Sequence, residues 1–126
     1  MAATATPLRI VVVDDSLQYR RVICNQLEKQ PNLKVVAEAE DGLSALQAVE
    51  RHKPDVVLMD VSMPVLNGID ATWIIKSKFP AVRVILLSMI EANPTSETIR
   101  KAGACCCLDK GCSPSEIIQA IMTAGI

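Results

Sequence analysis

The chain has 126 residues, enough for one domain with a sizeable core, and 50% hydrophobic against 21% charged residues excludes disorder. The formal net charge is −1, so no basic excess exists to release counterions from nucleic acid. The three aromatics, Tyr19, Trp73 and Phe79, are too scattered to form a stacking platform for single strands.

The predicted elements alternate along the chain. Met1–Pro7 is small and polar and reads as a loose tail, not a signal peptide. Leu8–Val13 is a short apolar run broken only by Arg9, and Leu33–Ala37, Val56–Met59, Val82–Leu87 and Cys105–Leu108 resemble it. Runs of this length, mostly β-branched or small and bounded by polar residues, suit strands buried on both faces of a parallel sheet. Helical spacing separates them. Tyr19, Val22, Ile23 and Leu27 follow the first run, and Leu43, Leu46 and Val49 follow the second, opened by Asp41-Gly42. Asn93-Pro94 opens a fourth helix that Gly103 ends. Ser113-Pro114-Ser115-Glu116 opens the last, with Ser113 as N-cap, Pro114 in the first helical position and Glu116 completing a capping box ahead of Ile117, Ile118, Ile121 and Met122. Strand-first alternation of five strands and five helices argues for one doubly wound α/β domain. No run reaches the roughly 18–20 apolar residues of a membrane span, and Thr123–Ile126 are expected to leave no room for another domain within these 126 residues.

The five cysteines, Cys24, Cys105, Cys106, Cys107 and Cys112, are odd in number and contain no Cys-x-x-Cys. They read as apolar packing in a reducing, cytoplasmic protein. A zinc site from Cys105, Cys107 and Cys112 would need one more ligand, and His52 is the one histidine.

In a doubly wound sheet, ligands bind beyond the carboxyl ends of the strands. The polar residues there are Asp14 and Asp15 after the first run, Asp60 after the third, Ser88 after the fourth, and Asp109-Lys110 after the fifth. Glu38 and Glu40 follow the second and read as peripheral. Each has a bland explanation: a helix N-terminus for the Asp pair, a loop residue, a strand-end cap, a solvated cation. Their joint occurrence at four strand ends favours a site. Three carboxylates in one crevice either raise a pKa or bind a cation, and oxygen-only ligands suit Mg²⁺. Mg²⁺, a lysine and a hydroxyl around one carboxylate form a phosphoryl-transfer site in which an ionised Asp is already a nucleophile.

The strings Val11-Val12-Val13-Asp14-Asp15-Ser16, Leu58-Met59-Asp60-Val61-Ser62-Met63-Pro64 with Asn67-Gly68, Leu87-Ser88, Gly103-Ala104 and Leu108-Asp109-Lys110 resemble the receiver domains of bacterial response regulators. The likeness runs from about Leu8 to Ala124, and the stretch Asp109 to Ile117 is most similar to the NarL/FixJ (LuxR-type) subfamily. It implies a flavodoxin-like (βα)₅ domain over residues 8–126 after a flexible tail over 1–7, with five parallel strands in the order 2-1-3-4-5. It implies that Asp60 is the phosphoacceptor, that Asp15, Asp60 and the Ser62 backbone carbonyl ligate Mg²⁺, and that Asp14 acts through metal-bound water. Lys110 would pair with the phosphoryl group, and Ser88 would be the switch hydroxyl. Pro64 would shape the loop after the third strand, and Gly68 would permit backbone that other residues resist. The implied partner is a sensor histidine kinase, with a homodimer through the first and last helices upon phosphorylation. The chain would act on no separate substrate, and would bind neither nucleic acid nor membrane. The implied output is transcriptional, through a C-terminal helix-turn-helix domain outside these 126 residues.

Two positions depart from the family pattern. Cys107 stands where receivers usually carry an aromatic or His that swings inward with the switch hydroxyl, so signal is expected to pass through the loop after Ser88 and the fourth helix. Gly111 stands where many have Pro, so a more mobile Lys110 loop is expected. Ile90, two residues past Ser88, cannot orient a hydrolytic water, which predicts a long-lived phosphoryl group. Cys24 is expected in the core. His52 ends the second helix without a catalytic role, Trp73 is expected to pack, with partial exposure as the alternative, and Arg20, Arg21 and Lys29 form a solvated helix face.

The rival reading is a phosphorylation-independent module of receiver shape, which need not keep this set of residues. A flavin site would need a Ser/Thr/Gly-rich first loop, and an Asp-x-Asp phosphatase would need a carboxylate at Ser62.

Overall fold

The computed structural model describes residues 6–89 and 93–125. Ten elements alternate: β1 (Leu8–Val13), α1 (Leu17–Glu28), β2 (Leu33–Ala39), α2 (Gly42–His52), β3 (Val56–Asp60), α3 (Gly68–Lys78), β4 (Arg83–Ser88), α4 (Ser96–Ala102), β5 (Cys106–Asp109) and α5 (Pro114–Ala124). The five strands form one parallel sheet in the order β2-β1-β3-β4-β5, which is the expected order.

Alternate side chains of the central strands feed two cores. Val11, Val13, Val57, Met59, Val84 and Leu86 meet α2 and α3 through Ala45, Val49, Ala71 and Ile75. Ile10, Val12, Leu58, Ile85 and Leu87 meet α1 and α5 through Ile23, Cys24, Leu27, Ile117 and Ile121. Burial on both faces is why these strands read as continuous apolar runs. Cys24 is in the core as expected, and burial, with Glu38 next, pushes its thiol up to about 12.

The helices start where side-chain oxygens accept orphan N–H groups. Ser16, Asp41, Asn67, Thr95 and Ser113 are the N-caps. Thr95 moves the start of α4 two residues beyond Asn93-Pro94, while Gly103 ends it in a left-handed conformation at φ 91°. Two apolar residues expected on inward faces point outward instead. Val22 and Leu43 are about half exposed, because α2 meets the sheet through Ala45 and Val49 with Gly42 against Leu66, and α1 meets it through Ile23, Cys24 and Leu27.

A bulge between Ile10 and Val11 shifts the β1–β2 register, so Val12 aligns with Glu38 and Val13 with Ala39. At the far end of the molecule Gly125 lies against Leu8: a Cβ there would sit 2.5 Å from a Leu8 methyl carbon.

Candidate functional site at the carboxyl ends of the strands

The sheet delivers Asp14, Asp60, Ser88 and Lys110 to one end. Asp14 follows β1, and its N–H donates to the Ala39 carbonyl at 3.0 Å, while Arg20 Nη1 donates to its carbonyl at 2.6 Å. The same Arg20 pairs with Glu38 at 2.9 Å, a meeting that the shifted β2 register makes possible. Arg20 is therefore a largely buried strut of the first loop and not a solvated residue, while Glu38, on the edge strand, lies outside the carboxylate cluster as expected and braces Arg20. Arg21 is exposed as expected.

Asp60 is the last residue of β3 and only 3% exposed. Gly68 brings α3 against it: a Cβ there would lie 2.0 Å from the Asp60 carbonyl oxygen. The glycine is required by close approach, not by unusual backbone as expected, for its φ is negative-side or extended while Val65 carries the positive φ, 69°, of this loop. Around Val65 the Leu66 N–H donates to the Pro64 carbonyl at 2.7 Å, a tight and strained turn for a β-branched residue.

Lys110 extends the β4–β5 ladder, donating its N–H to the Ser88 carbonyl at 2.9 Å. Its ammonium lies 2.7 Å from Asp14 Oδ2 and 3.1 Å from Asp60 Oδ2. The Asp14 contact is ionic and poorly directed, leaving Oδ2 buried without a well-formed hydrogen bond. Oδ1 of Asp14 accepts from the Ser16 N–H at 2.8 Å, and Oδ1 of Asp60 from the Ser62 N–H at 3.2 Å. One cation thus serves two buried anions. Burial, then the charge of Asp14, raises the Asp60 carboxyl to about 6 despite Lys110. At neutral pH it is mostly ionised. Burial works against the Lys110 charge, but its bonds to Asp14 and Asp60 outweigh this and raise its pKa.

Asp15 is exposed, yet a carboxylate oxygen from each of Asp14, Asp15 and Asp60 lies within 4.8 Å of the others. Among the described residues this is the one group of three metal-ligating side chains so arranged. The donor set is all oxygen and one of its atoms is buried without a directed partner, so the residues fit a hard divalent cation. Ser88 is buried, and its hydroxyl partners among the described residues are Asn93 Oδ1 and, at 3.5 Å, Cys107 Sγ. The thiol therefore meets the hydroxyl from the position the family usually gives to a ring.

Cys107 packs toward α2, α3 and α4, whereas Cys106 and Cys112 pack toward α1 and α5. Opposite faces of the sheet give Cys105, Cys107 and Cys112 no common centre. Trp73 is 60% exposed instead of packed. His52 ends α2, as expected. Gly111 donates its N–H to Asp109 Oδ1 at 2.6 Å, a bond that a proline could not make. Ile90 lies outside the described residues. Two neighbours of the site were not legible as such: Asn93, and Tyr19, whose ring lies under the Lys110 ammonium.

Residues 10–122 match the response regulator receiver domain family. The chain belongs to that family. The receiver is 35% identical over 114 residues to the transcriptional regulatory protein DegU of Brevibacillus brevis, covering 90% of this chain and 48% of the relative. It is 40% identical over 100 residues to a protein-glutamate methylesterase/protein-glutamine glutaminase of Pyrococcus abyssi, covering 79% of this chain and 27% of the relative. The chain therefore spans half or less of the length of these curated relatives. In structure it matches the signal receiver domain of the Mycobacterium tuberculosis protein named NarL, with a TM-score of 0.86 and 31% identity, covering 96% of this chain and 98% of that one. The receiver is a domain of two-component response regulators, of flavodoxin-like fold, with NarL/LuxR-type receivers among its neighbours. No described helix is long and apolar enough to cross a membrane.

Proposed function

We propose that the receiver is a phosphorylation-controlled switch with Asp60 as its phosphoacceptor. The observation that carries this reading is the shared Lys110 ammonium between Asp14 and Asp60, beside Asp15. An Asp60 oxygen attacks the phosphorus of a phosphohistidine on a sensor histidine kinase. The new P–O bond forms as the P–N bond breaks, and the imidazole leaves with the electron pair and is protonated by solvent. Lys110 follows the negative charge onto the transferring group. The backbone N–H of Ser62, already bonded to Asp60 Oδ1, keeps the carboxylate oriented. Asp15, Asp60 and the Ser62 carbonyl would hold Mg²⁺, with Asp14 acting through water; when bound, the ion offsets charge on the phosphoryl oxygens. Ser88 releases Asn93 and Cys107 to reach the phosphoryl group, and the change passes to the loop after it and to α4. The modified form shifts a pre-existing conformational equilibrium.

The receiver is its own substrate and works in the cytoplasm. Its self-association uses α1 and α5, where Leu17 and Val22 are exposed on α1, and its output in a longer protein is transcriptional, as the name of the Brevibacillus relative suggests.

The test is intact mass after incubation with acetyl phosphate, with and without Mg²⁺, beside Asp60→Asn. A gain of about 80 Da, one phosphoryl group, that needs both the ion and Asp60 is expected. No gain, despite bound Mg²⁺ and despite a kinase phosphodonor, leaves the phosphorylation-independent module as the reading.

A further inference from the structure

Tyr19 stands on the first turn of α1, 91 positions before Lys110 in the sequence, and the Lys110 ammonium lies 4.9 Å from its ring centroid. Its hydroxyl is buried and, among the described residues, has no hydrogen-bond partner. A phenol placed for its hydroxyl would have one. The part of Tyr19 that meets the site is therefore the ring face. The ring also packs against the α1–α5 core, so its position is set by apolar contacts and not by the charges it faces.

We propose that Tyr19 is a positioning residue for phosphoryl transfer: its ring holds the Lys110 ammonium beside the Asp60 carboxylate. This rests on the reading of Asp60 as phosphoacceptor. Lys110 must stay close to Asp60 to follow charge onto the transferring group. Its two anionic partners are unequal, 2.7 Å to Asp14 and 3.1 Å to Asp60. Left to these alone, the ammonium favours Asp14, the wrong carboxylate for the chemistry. An aromatic face attracts a cation without competing for its hydrogen-bond donors in the carboxylate plane. It therefore supplies a third side to the ammonium's cage while leaving N–H groups free for a phosphoryl oxygen. Losing the ring lets the flexible four-carbon stem settle on Asp14 or reach solvent, and a small displacement of a charge-stabilising group costs rate.

The burial of the Tyr19 hydroxyl, with the negative charges of Asp14 and Asp60 near it, also pushes its ionisation up to about 12. The ring stays neutral throughout the working pH range, and its attraction for Lys110 does not change with pH there.

Two readouts test this together. The first needs no phosphorylation: the ε-methylene proton resonances of Lys110, which a ring face shifts upfield. The shift is expected in the wild type and in Tyr19→Phe, and its loss is expected in Tyr19→Leu and Tyr19→Met. The second is the rate of Asp60 phosphorylation by acetyl phosphate with Mg²⁺. Tyr19→Leu and Tyr19→Met are expected to lower it roughly 3- to 10-fold, the range of a partly desolvated cation–π contact, and Tyr19→Phe to rescue it, since only the hydroxyl is removed. Two substitutions guard against one that disturbs α1, and a dispersed amide spectrum identifies the folded one. An unshifted Lys110 resonance in the wild type, wild-type rates in both aliphatic variants, or failure of Tyr19→Phe to rescue overturns the proposal. If the wild type accepts no phosphoryl group while the resonance behaves as expected, the phosphoacceptor reading fails and the Tyr19–Lys110 contact stands.

Discussion

At the amino end of the sheet Arg9 donates its N–H to Asp55 at 2.8 Å, and its guanidinium to the carbonyls of His52 and Lys53 at 2.6 and 3.2 Å. The Asp55 N–H returns to the Arg9 carbonyl at 2.8 Å. Here one cation closes the C-terminal turn of α2, whose last carbonyls would otherwise lack partners. At the carboxyl end one cation, Lys110, is divided between two buried carboxylates while a third stands in reach. The same strands thus carry charge that completes the fold at one end and charge left in excess at the other. Excess anionic charge stays in a folded protein where a cation or a reacting group is to be received.

The largest expected effect separates the two ends by chemistry. Lys110→Ala should lower the rate of Asp60 phosphorylation by about 100-fold, the scale for losing one preorganised charge-stabilising donor. Arg9→Ala should leave that rate within about twofold and instead lower the unfolding free energy by about 2 kcal/mol in urea titrations. A large rate loss in Arg9→Ala would break the comparison.

Next comes a pH effect confined to the carboxyl end. The Asp60 carboxyl is raised from 3.8 to about 6 in the folded protein, so the native state binds its proton more tightly than the unfolded chain. Below about pH 4 both states are protonated and nothing is lost. As pH rises toward 6 the unfolded chain ionises first, and the folded state loses relative stability that is not regained above 6. Without divalent cations, Asp60→Asn should therefore be more stable than wild type at pH 8 by about 1–2 kcal/mol, a range discounted for solvent screening. That gain should fade by about pH 4. A pH-independent difference in melting temperature would count against the excess-charge account.

The smallest effect concerns the loop that carries Lys110. Gly111→Pro removes the N–H bonded to Asp109 and should cost about 1 kcal/mol, readable as a small drop in melting temperature. An unchanged melting temperature would mean that this bond contributes nothing to the loop.

Much of this was legible in the sequence because strands buried on both faces are written as apolar runs. β1 coincides with the run Leu8–Val13; Asp14, Asp60 and Ser88 directly follow their runs, and Lys110 follows its own after Asp109. Helix faces were less legible. Large apolar residues attract the eye, yet α2 packs through Gly42, Ala45 and Val49 and turns Leu43 outward. Arg20 looked solvated because nothing local shows that a one-residue bulge in β2 pairing carries Glu38 to meet it. The Tyr19–Lys110 contact joins the first helix to the last strand's loop, and only the assembled sheet brings them together.

The contact between Leu8 and Gly125 places the start of β1 beside the end of α5, both at the Arg9 end of the sheet. A peptide linker of a few residues could join these ends into a covalent ring. Such a ring removes loop-closure entropy from the unfolded chain while leaving the Asp60 end untouched. Equally, a fluorophore or tether on either end sits as far from the reacting carboxylates as the sheet is long. It can serve as a handle for immobilising the protein or pulling on it, and β1 and α5 are the elements that will feel the load first.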